Sequence, residues 1–270
     1  MLADSEFNRI VSYVMDHYGI SLSEKRVLVN GRLEPYLLRS GHNSFDEFMA
    51  KVEADPQGEE ATSLINVLTT NHTYFMRESE HFDYFRNIVL PYLKQKMAAK
   101  KDLRIWSAAS STGEEPYTLA MILMDFFGAE HGLWDTRVLA TDISTRVLQH
   151  AMKGVYLREE IEPIPDCWKK RFFRQINAEE FQVTDELRRE VLYRRFNLMD
   201  SFPFKGRFHV VFLRNVMIYF PNDVKSRLID KVYEYMEPGG YLFIGTTESL
   251  KSTRAPFQYV QPAVYRKKEL

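Results

Sequence analysis

The sequence has few of the features that mark secreted or membrane proteins. Its 270 residues include one cysteine, Cys167, so no internal disulfide can form, as is typical of a reducing cytoplasm. The first residues, MLADSEFNRI, lack the basic and apolar regions of a signal peptide. No apolar run approaches the roughly 20 residues that a membrane span requires. We therefore expect a cytoplasmic protein that does not insert into membranes.

Three classes of function are also disfavoured by what is missing. The net charge is -1, so no overall charge attracts the chain to nucleic acid. The seven histidines show no HExxH or paired-ligand spacing, and we expect no metal. A GxGxxG fingerprint is absent, which argues against a nicotinamide-dependent oxidoreductase.

The first part of the chain has the periodicity of helices. Apolar residues recur at helical spacing in three stretches, and no β-rich stretch precedes residue 100. The stretches contain Phe7, Ile10, Val11, Val14, Met15 and Tyr18; Phe48, Met49 and Val52; and Ala61, Leu64, Ile65 and Leu68. We expect an all-α N-terminal domain over residues 1–76.

From residue 100 onwards, short apolar strands alternate with helices. This alternation predicts a mainly parallel sheet covered on both faces, within a domain over residues 77–270. The predicted strands are residues 103–109, 137–142, 208–213 and 241–245. A turn at 237–240 precedes the last of these strands. Residues 257–266 resemble two further strands around a Pro-centred turn. Between residues 169 and 197, short polar strands predict a small antiparallel β insertion.

The residues after the first predicted strand, 107–113, are all small, which lets a ligand approach the backbone closely. Asp142 ends the second strand, where a carboxylate can accept hydrogen bonds from ribose hydroxyls. It could instead cap the following helix, although Ser144 competes for that role. Glu115 fits either a ligand contact or a capping box with Thr112, and these two readings remain open.

Five segments together resemble the CheR family of chemotaxis receptor methyltransferases. They are LTTNHTYFMRE (68–78), WSAASSTGEEPYTLAM (106–121), LATDIS (139–144), RFNLMD (195–200) and FLRNVMIYF (212–220). The resemblance implies a class I, Rossmann-like methyltransferase domain that uses S-adenosylmethionine and releases S-adenosylhomocysteine. Its substrates would be glutamate side chains on the cytoplasmic helices of transmembrane chemotaxis receptors.

The resemblance also assigns a site. Arg77 and Tyr219 would lie near the reacting methyl group, and Asp142 would bind the ribose. The implied cofactor-binding residues are Asn71, Thr73, Arg77, Glu115, Asp142, Asn197, Leu198, Arg214 and Asn215. Taken singly, several of these side chains have ordinary structural explanations; Arg77, for example, could pair with Glu78 or Glu80.

The implied reaction requires no general base. A glutamate has an unperturbed pKa of about 4.3, so the nucleophile is already ionised at neutral pH. The protein must instead align the reactants and remove water from the carboxylate. Arg77 and Tyr219 are suitable donors for the carboxylate oxygens, and no catalytic His or Cys is expected.

Basic residues between positions 25 and 39 suggest a docking surface. Lys25, Arg32 and Arg39 are seven apart, near one face of a continuous helix, but we expect Pro35 to interrupt it. By charge alone this is a solvated helix face. The resemblance favours docking of Lys25, Arg26 and Arg32 on glutamate-rich receptor helices.

A receptor C-terminal peptide is not an expected partner. In some family members the β insertion binds such a peptide and carries a Gly-rich loop. The corresponding stretch here, residues 175–180, is shorter and has no glycine.

Two other functions stay open from the sequence. One is a methyltransferase of a small carboxylic acid or of another protein, which would need no docking helices. The other is a non-catalytic regulator that senses S-adenosylmethionine, against which the presence of Arg77 and Tyr219 argues.

Overall fold

The N-terminal part of the chain is helical, as its periodicity predicts. The computed structural model describes residues 2–42, 44–251 and 253–269. The first helices are α1 (Asp4–Tyr18), α2 (Arg26–Ser40), α3 (Phe45–Ala54) and α4 (Glu59–Leu68). Their apolar faces form one core that includes Ile10, Leu33, Phe48 and Leu64.

Helix α2 corrects one expectation. Pro35 lies inside the helix, which continues to Ser40. Proline removes the hydrogen bond to the carbonyl four residues earlier, here that of Gly31. Both Gly31 and Pro35 are exposed, so water can reach that part of the helix and the loss is tolerated.

The rest of the chain alternates strands and helices. The strands are β1 (Ile105–Ala108), β2 (Val138–Asp142), β3 (Val155–Leu157), β4 (Phe173–Gln175), β5 (Glu180–Val183), β6 (Val191–Arg195), β7 (Phe208–Leu213), β8 (Met236–Ile244), β9 (Gln258–Gln261) and β10 (Val264–Arg266). The helices are α5 (Ser79–Tyr84), α6 (Leu90–Lys96), α7 (Glu114–Phe127), α8 (Thr145–Lys153), α9 (Asp166–Phe172), α10 (Asp185–Arg189) and α11 (Asn222–Glu234). A π-helical segment, Phe85–Val89, joins α5 to α6.

The main sheet has seven strands in the order β6-β2-β1-β7-β8-β10-β9. The first five are parallel, and β10 and β9 are antiparallel. Alternate residues of β7 enter different cores: Val210 and Phe212 pack on one face, Val211 and Leu213 on the other. Both faces are therefore covered by helices, as in other parallel sheets.

The small antiparallel sheet exists, but its limits differ from residues 169–197. It consists of β3, β5 and β4, so it begins at Val155. The segment around 191–195 belongs instead to the main sheet, where β6 pairs in parallel with β2. Val191 and Tyr193 are buried against that sheet, while Arg194 and Arg195 are exposed. An edge strand of this composition is easily confused with a polar hairpin strand.

The predicted turn at 237–240 is also part of a strand. β8 begins at Met236 and contains a register shift, because Phe208 pairs with Met236 while Val210 pairs with Tyr241. Gly239 has φ +77°, which lets the chain bulge there. The Gly239 N–H still bonds to the Lys267 carbonyl at 2.9 Å, so the bulge remains in the sheet.

None of the helices in the described ranges is both long enough and apolar enough to cross a membrane.

Candidate functional site

An open cavity lies beyond the carboxyl ends of β1, β2 and β7, where the helical segment meets the sheet. Every residue predicted to bind the cofactor lines it, together with Tyr219 and Lys25. The same wall includes Tyr18, Leu22 and the stretch 68–74. Ligands of open parallel sheets bind at this edge. The structure thus brings together residues that are far apart in the chain.

The loop after β1 is held in a tight, irregular conformation. Ala109 and Ser111 have positive φ values of 57° and 49°, and Gly113 has φ +102°. A Cβ atom on Gly113 would lie 2.8 Å from the Tyr193 hydroxyl and the Ala151 Cβ, so only glycine fits. The Ser110 hydroxyl is buried and has no hydrogen-bond partner within the described residues. It lines the cavity and is free to bond to a ligand.

Asp142 presents its carboxylate to the cavity from the end of β2. One oxygen accepts the Ser144 N–H and the other accepts the Ser111 N–H, each at 2.9 Å. Ser144 is the N-cap of α8, because its hydroxyl accepts the Val147 N–H. A carboxylate has about four acceptor sites, so Asp142 keeps capacity for ligand hydroxyls. Burial raises the pKa of Asp142, and the backbone N–H bonds oppose that shift.

Glu115 does not form a capping box. The N-cap of α7 is Gly113, and the Thr112 hydroxyl bonds to Glu114 instead. Glu115 accepts one bond from the Ser107 hydroxyl at 2.7 Å and one from Arg214 Nη1 at 3.0 Å. Burial raises the pKa of Glu115, and the charge of Arg214 opposes this.

Arg214 joins two carboxylates in a buried ion-pair network. Its side chain is 2% exposed, and its Nη2 lies 2.9 Å from Glu78 Oε2 while Nη1 bonds to Glu115. Nη2 also donates to the backbone carbonyl of Arg77. Buried arginines require such pairing, because an unpaired buried charge is strongly destabilising. The network therefore fixes the backbone at Arg77.

Glu78 was not identified from the sequence as a site residue. Besides Arg214, it accepts hydrogen bonds from the Asn215 amide at 3.3 Å and the Thr246 hydroxyl at 3.0 Å. Burial alone would raise its pKa, but Arg214 and these bonds lower the pKa to about 2. Glu78 is the last residue of the first of the five family-like segments. That position was the one feature of the sequence that could have indicated a role in the site.

Arg77 and Tyr219 lie on the cavity wall. Arg77 Nη1 donates to the His72 carbonyl at 2.8 Å, so Arg77 does not depend on its acidic neighbours for orientation. The Tyr219 hydroxyl donates to the Thr70 carbonyl over 3.5 Å. Burial raises the pKa of Tyr219, which keeps its phenol protonated and able to donate.

The remaining predicted residues connect the cavity wall to its surroundings. The Asn71 carbonyl accepts the Ser111 hydroxyl at 2.9 Å, and Thr73 lies in the same stretch of wall. The Asn197 amide donates to the His17 carbonyl at 2.8 Å, and Leu198 is buried beside it.

The basic residues near α2 have different environments. Lys25 is exposed at the start of the helix and lines the cavity. Arg26 pairs with Asp4 at 2.6 Å and donates to the Leu2 carbonyl at 3.1 Å. Arg32 donates to backbone carbonyls at the end of α4. Lys25 is therefore the most available of the three for a partner.

The parallel sheet, the small-residue loop after β1 and the acidic side chain at the end of β2 are features of α/β domains that bind a nucleotide-containing ligand. Comparison with known families narrows this class to S-adenosylmethionine-dependent methyltransferases. The family model of the CheR methyltransferase SAM binding domain matches residues 71–266. That of the CheR methyltransferase all-alpha domain matches residues 5–69. The chain belongs to the CheR methyltransferase family.

Curated relatives match nearly the whole chain. A chemotaxis protein methyltransferase of Borreliella burgdorferi is 37% identical over 270 residues, covering 98% of this chain and 95% of the relative. Chemotaxis protein methyltransferase 2 of Pseudomonas aeruginosa is 36% identical over 252 residues, covering 92% and 87%. A chemotaxis protein methyltransferase of Vibrio parahaemolyticus is 32% identical over 266 residues, covering 96% and 94%.

Proposed function

We propose that this enzyme methylates glutamate side chains on the cytoplasmic helices of chemotaxis receptors, giving glutamate methyl esters and S-adenosylhomocysteine. The observation that carries the proposal is the placement of Arg77 and Tyr219 on the wall of the cavity that also contains Asp142. The names of the relatives support a role in chemotaxis.

The cavity suits S-adenosylmethionine. The spare acceptor sites of Asp142 fit the ribose hydroxyls, and the loop 107–113 gives close access to the backbone. We assign further cofactor contacts to Asn71, Thr73, Arg77, Glu115, Asn197, Leu198, Arg214 and Asn215. When bound, the cofactor supplies an electrophilic methyl group on a sulfonium.

The residues around the cavity mouth provide alignment rather than proton transfer. The guanidinium of Arg77 and the neutral phenol of Tyr219 are donors that can hold the two oxygens of a substrate carboxylate. Because that carboxylate is already ionised, no side chain has to remove a proton. Apolar wall residues such as Leu22 and Phe220 exclude water, which strengthens these contacts. No metal is required for this alignment.

We assign residues 1–76 to receptor docking and residues 77–270 to methyl transfer. The exposed Lys25 borders the cavity, where its charge would favour an approaching acidic helix. We expect no tether through a receptor C-terminal peptide. In the short loop at 175–180, Asn177 accepts the N–H groups of Glu179 and Glu180, both at 2.9 Å, so the loop closes on itself.

The test is incubation with methyl-labelled S-adenosylmethionine and receptor cytoplasmic fragments. We expect label on glutamate that is released by mild base, as a methyl ester would be. Fragments in which the acceptor glutamates are replaced by alanine should remain unlabelled. Label on a small carboxylic acid and none on the fragments would support the other substrate class. Binding of the cofactor without transfer to either would indicate a non-catalytic regulator.

A further inference from the structure

Arg32 contacts the interior of the protein rather than solvent. Its Nη1 donates to the carbonyls of Leu68 and Thr69 at 2.8 and 2.9 Å. Its Nη2 donates to the Thr70 hydroxyl at 3.0 Å. The side chain is half-buried between α2 and the end of α4.

These contacts provide hydrogen-bond donors for backbone carbonyls at the end of α4 that have no partner within the helix. Leu68 is the last residue of α4, and Thr69 is its C-cap. The last carbonyls of a helix have no partner within the helix and carry a partial negative charge. A cationic side chain that donates to two of them stabilises the helix end, a role that arginine commonly fills.

The chain that Arg32 holds is also part of the cavity wall. We call residues 68–71 the connecting segment, since it links α4 to the cavity. All four of its residues line the cavity. The Thr70 carbonyl accepts the Tyr219 hydroxyl, and the Asn71 carbonyl accepts the Ser111 hydroxyl. Arg32 therefore touches the segment from outside while Tyr219 and Ser111 touch it from the cavity side.

We propose that Arg32 is a positioning residue: it fixes the connecting segment against Tyr219 and the loop after β1, rather than serving as a docking cation. By charge alone, Arg32 belongs with Lys25 as a docking residue. However, most N–H groups of the Arg32 guanidinium already form hydrogen bonds within the protein. Three of the five N–H donors of its guanidinium are used in these bonds, so an acidic receptor helix could reach only the remaining two without breaking them. This inference rests on the proposed function for the identity of the receptor, but its main test does not use the receptor.

The experiment is calorimetric binding of S-adenosylmethionine to the full chain without receptor. Arg32→Ala removes all three bonds, and we expect affinity to fall roughly tenfold, as for lost bonds to a charged donor. Arg32→Lys keeps the charge and can reach one carbonyl, so its loss should be smaller. Arg39→Ala, an exposed cation on the same helix, is the matched control and should bind as the wild type does.

A docking role predicts a different pattern. The cofactor affinities of Arg32→Ala and Arg32→Lys would equal that of the wild type, and only the KM for receptor would rise, more at low salt than at high salt. That outcome would overturn the inference. A general loss of stability would lower the melting temperature yet leave the dissociation constant of the folded protein unchanged, which also contradicts positioning. Should Arg32→Ala not fold, the folded Arg32→Lys variant decides between the two patterns.

The two proposals fail separately. If receptor fragments were never methylated, the proposed function would be wrong, while the cofactor-binding comparison would still report on Arg32. If the cofactor affinities were equal but receptors were methylated, only the positioning role would be lost.

Discussion

At the scale of single residues, the site depends on carboxylates held by backbone N–H groups and by one arginine. Asp142 receives two backbone N–H groups, and Glu115 shares Arg214 with Glu78. The roles of Asp142 and Glu115 had competing explanations in the sequence. The structure excludes the capping explanation for both, because Ser144 caps α8 and Gly113 is the N-cap of α7; their contacts with the cofactor stay predictions.

Asp142→Ala should weaken binding of S-adenosylmethionine by about 1–3 kcal/mol, because ribose hydroxyls would lose their acceptor. Calorimetry on the folded variant measures this. Asp223→Ala, which removes an exposed carboxylate on α11, serves as the control. Wild-type affinity in a folded Asp142→Ala protein would exclude Asp142 from the site.

Glu114 should make the stability of the protein depend on pH. Burial raises its pKa from 4.5 to about 7, opposed by the Thr112 hydroxyl. Between those pH values the folded state holds a proton that the unfolded state has lost, so stability falls as pH rises. Glu114→Gln should therefore be more stable than the wild type at about pH 8, by up to about 3 kcal/mol, and the advantage should disappear towards about pH 4. Urea denaturation at several pH values measures it; a constant difference across that range would contradict the assignment.

At the scale of elements, local sequence patterns are enough to predict some helices and strands but not others. Helix α7 and strand β7 were predicted from their apolar runs, since these signals lie within the segments themselves. The placement of β6 depends on pairing with β2, and that of β3 on pairing with β5, which are tertiary contacts. The helical stretch formed by α5, the π segment and α6 was not predicted.

Glu78 shows that local patterns are also insufficient for predicting the residues of the site. Its bonds to Arg214 and Asn215 join residues 136 and 137 positions apart, and its bond to Thr246 spans 168. No local pattern encodes such contacts. The family-like segments could place the predicted residues at one cavity, but they could not show that Arg214 is already paired inside the protein.

Glu78→Gln should destabilise the junction of these elements. The amide keeps an acceptor but leaves the buried Arg214 with one charged partner, so the free energy of unfolding should fall by about 3 kcal/mol near neutral pH. The pKa of Glu78 is lowered to about 2, so the stabilisation is complete above the unfolded pKa of 4.5 and is lost as pH falls towards 2. Denaturation of Glu78→Gln beside Glu80→Gln, which changes an exposed carboxylate, measures the effect. Equal stabilities would show that the network contributes nothing.

At the scale of the whole molecule, the helical segment forms part of the wall of the cavity that we propose to bind the cofactor. The Ser21 N–H donates to the Tyr219 carbonyl at 2.9 Å, and the Asn197 amide donates to the His17 carbonyl. Ser144 also donates to Asn66 in α4 at 2.7 Å. A docking surface on this segment is thus directly connected to the residues proposed to carry out methyl transfer.

Lys25→Glu should raise the KM for receptor while the affinity for S-adenosylmethionine changes little, because the exposed charge acts on the approaching acidic helix. The effect should shrink with salt, as the Debye length falls from about 10 Å at 0.1 M to about 3 Å at 1 M. Lys100→Glu is the control, since Lys100 is exposed before the amino end of β1, opposite the cavity. If Lys25→Glu and Lys100→Glu had equal receptor kinetics at low salt, Lys25 would be an ordinary solvent-exposed residue without a role in docking.

The most direct test of the central claim, that the cavity aligns an already ionised glutamate with the methyl donor, is the single-turnover rate of methyl transfer as a function of pH. With receptor and S-adenosylmethionine both saturating, we predict a rate that is nearly constant between about pH 6 and about pH 8, because the substrate carboxylate titrates near 4.3 and no general base takes part. A bell-shaped profile centred on a histidine pKa, abolished by replacing one of the seven histidines in a folded protein, would contradict the account.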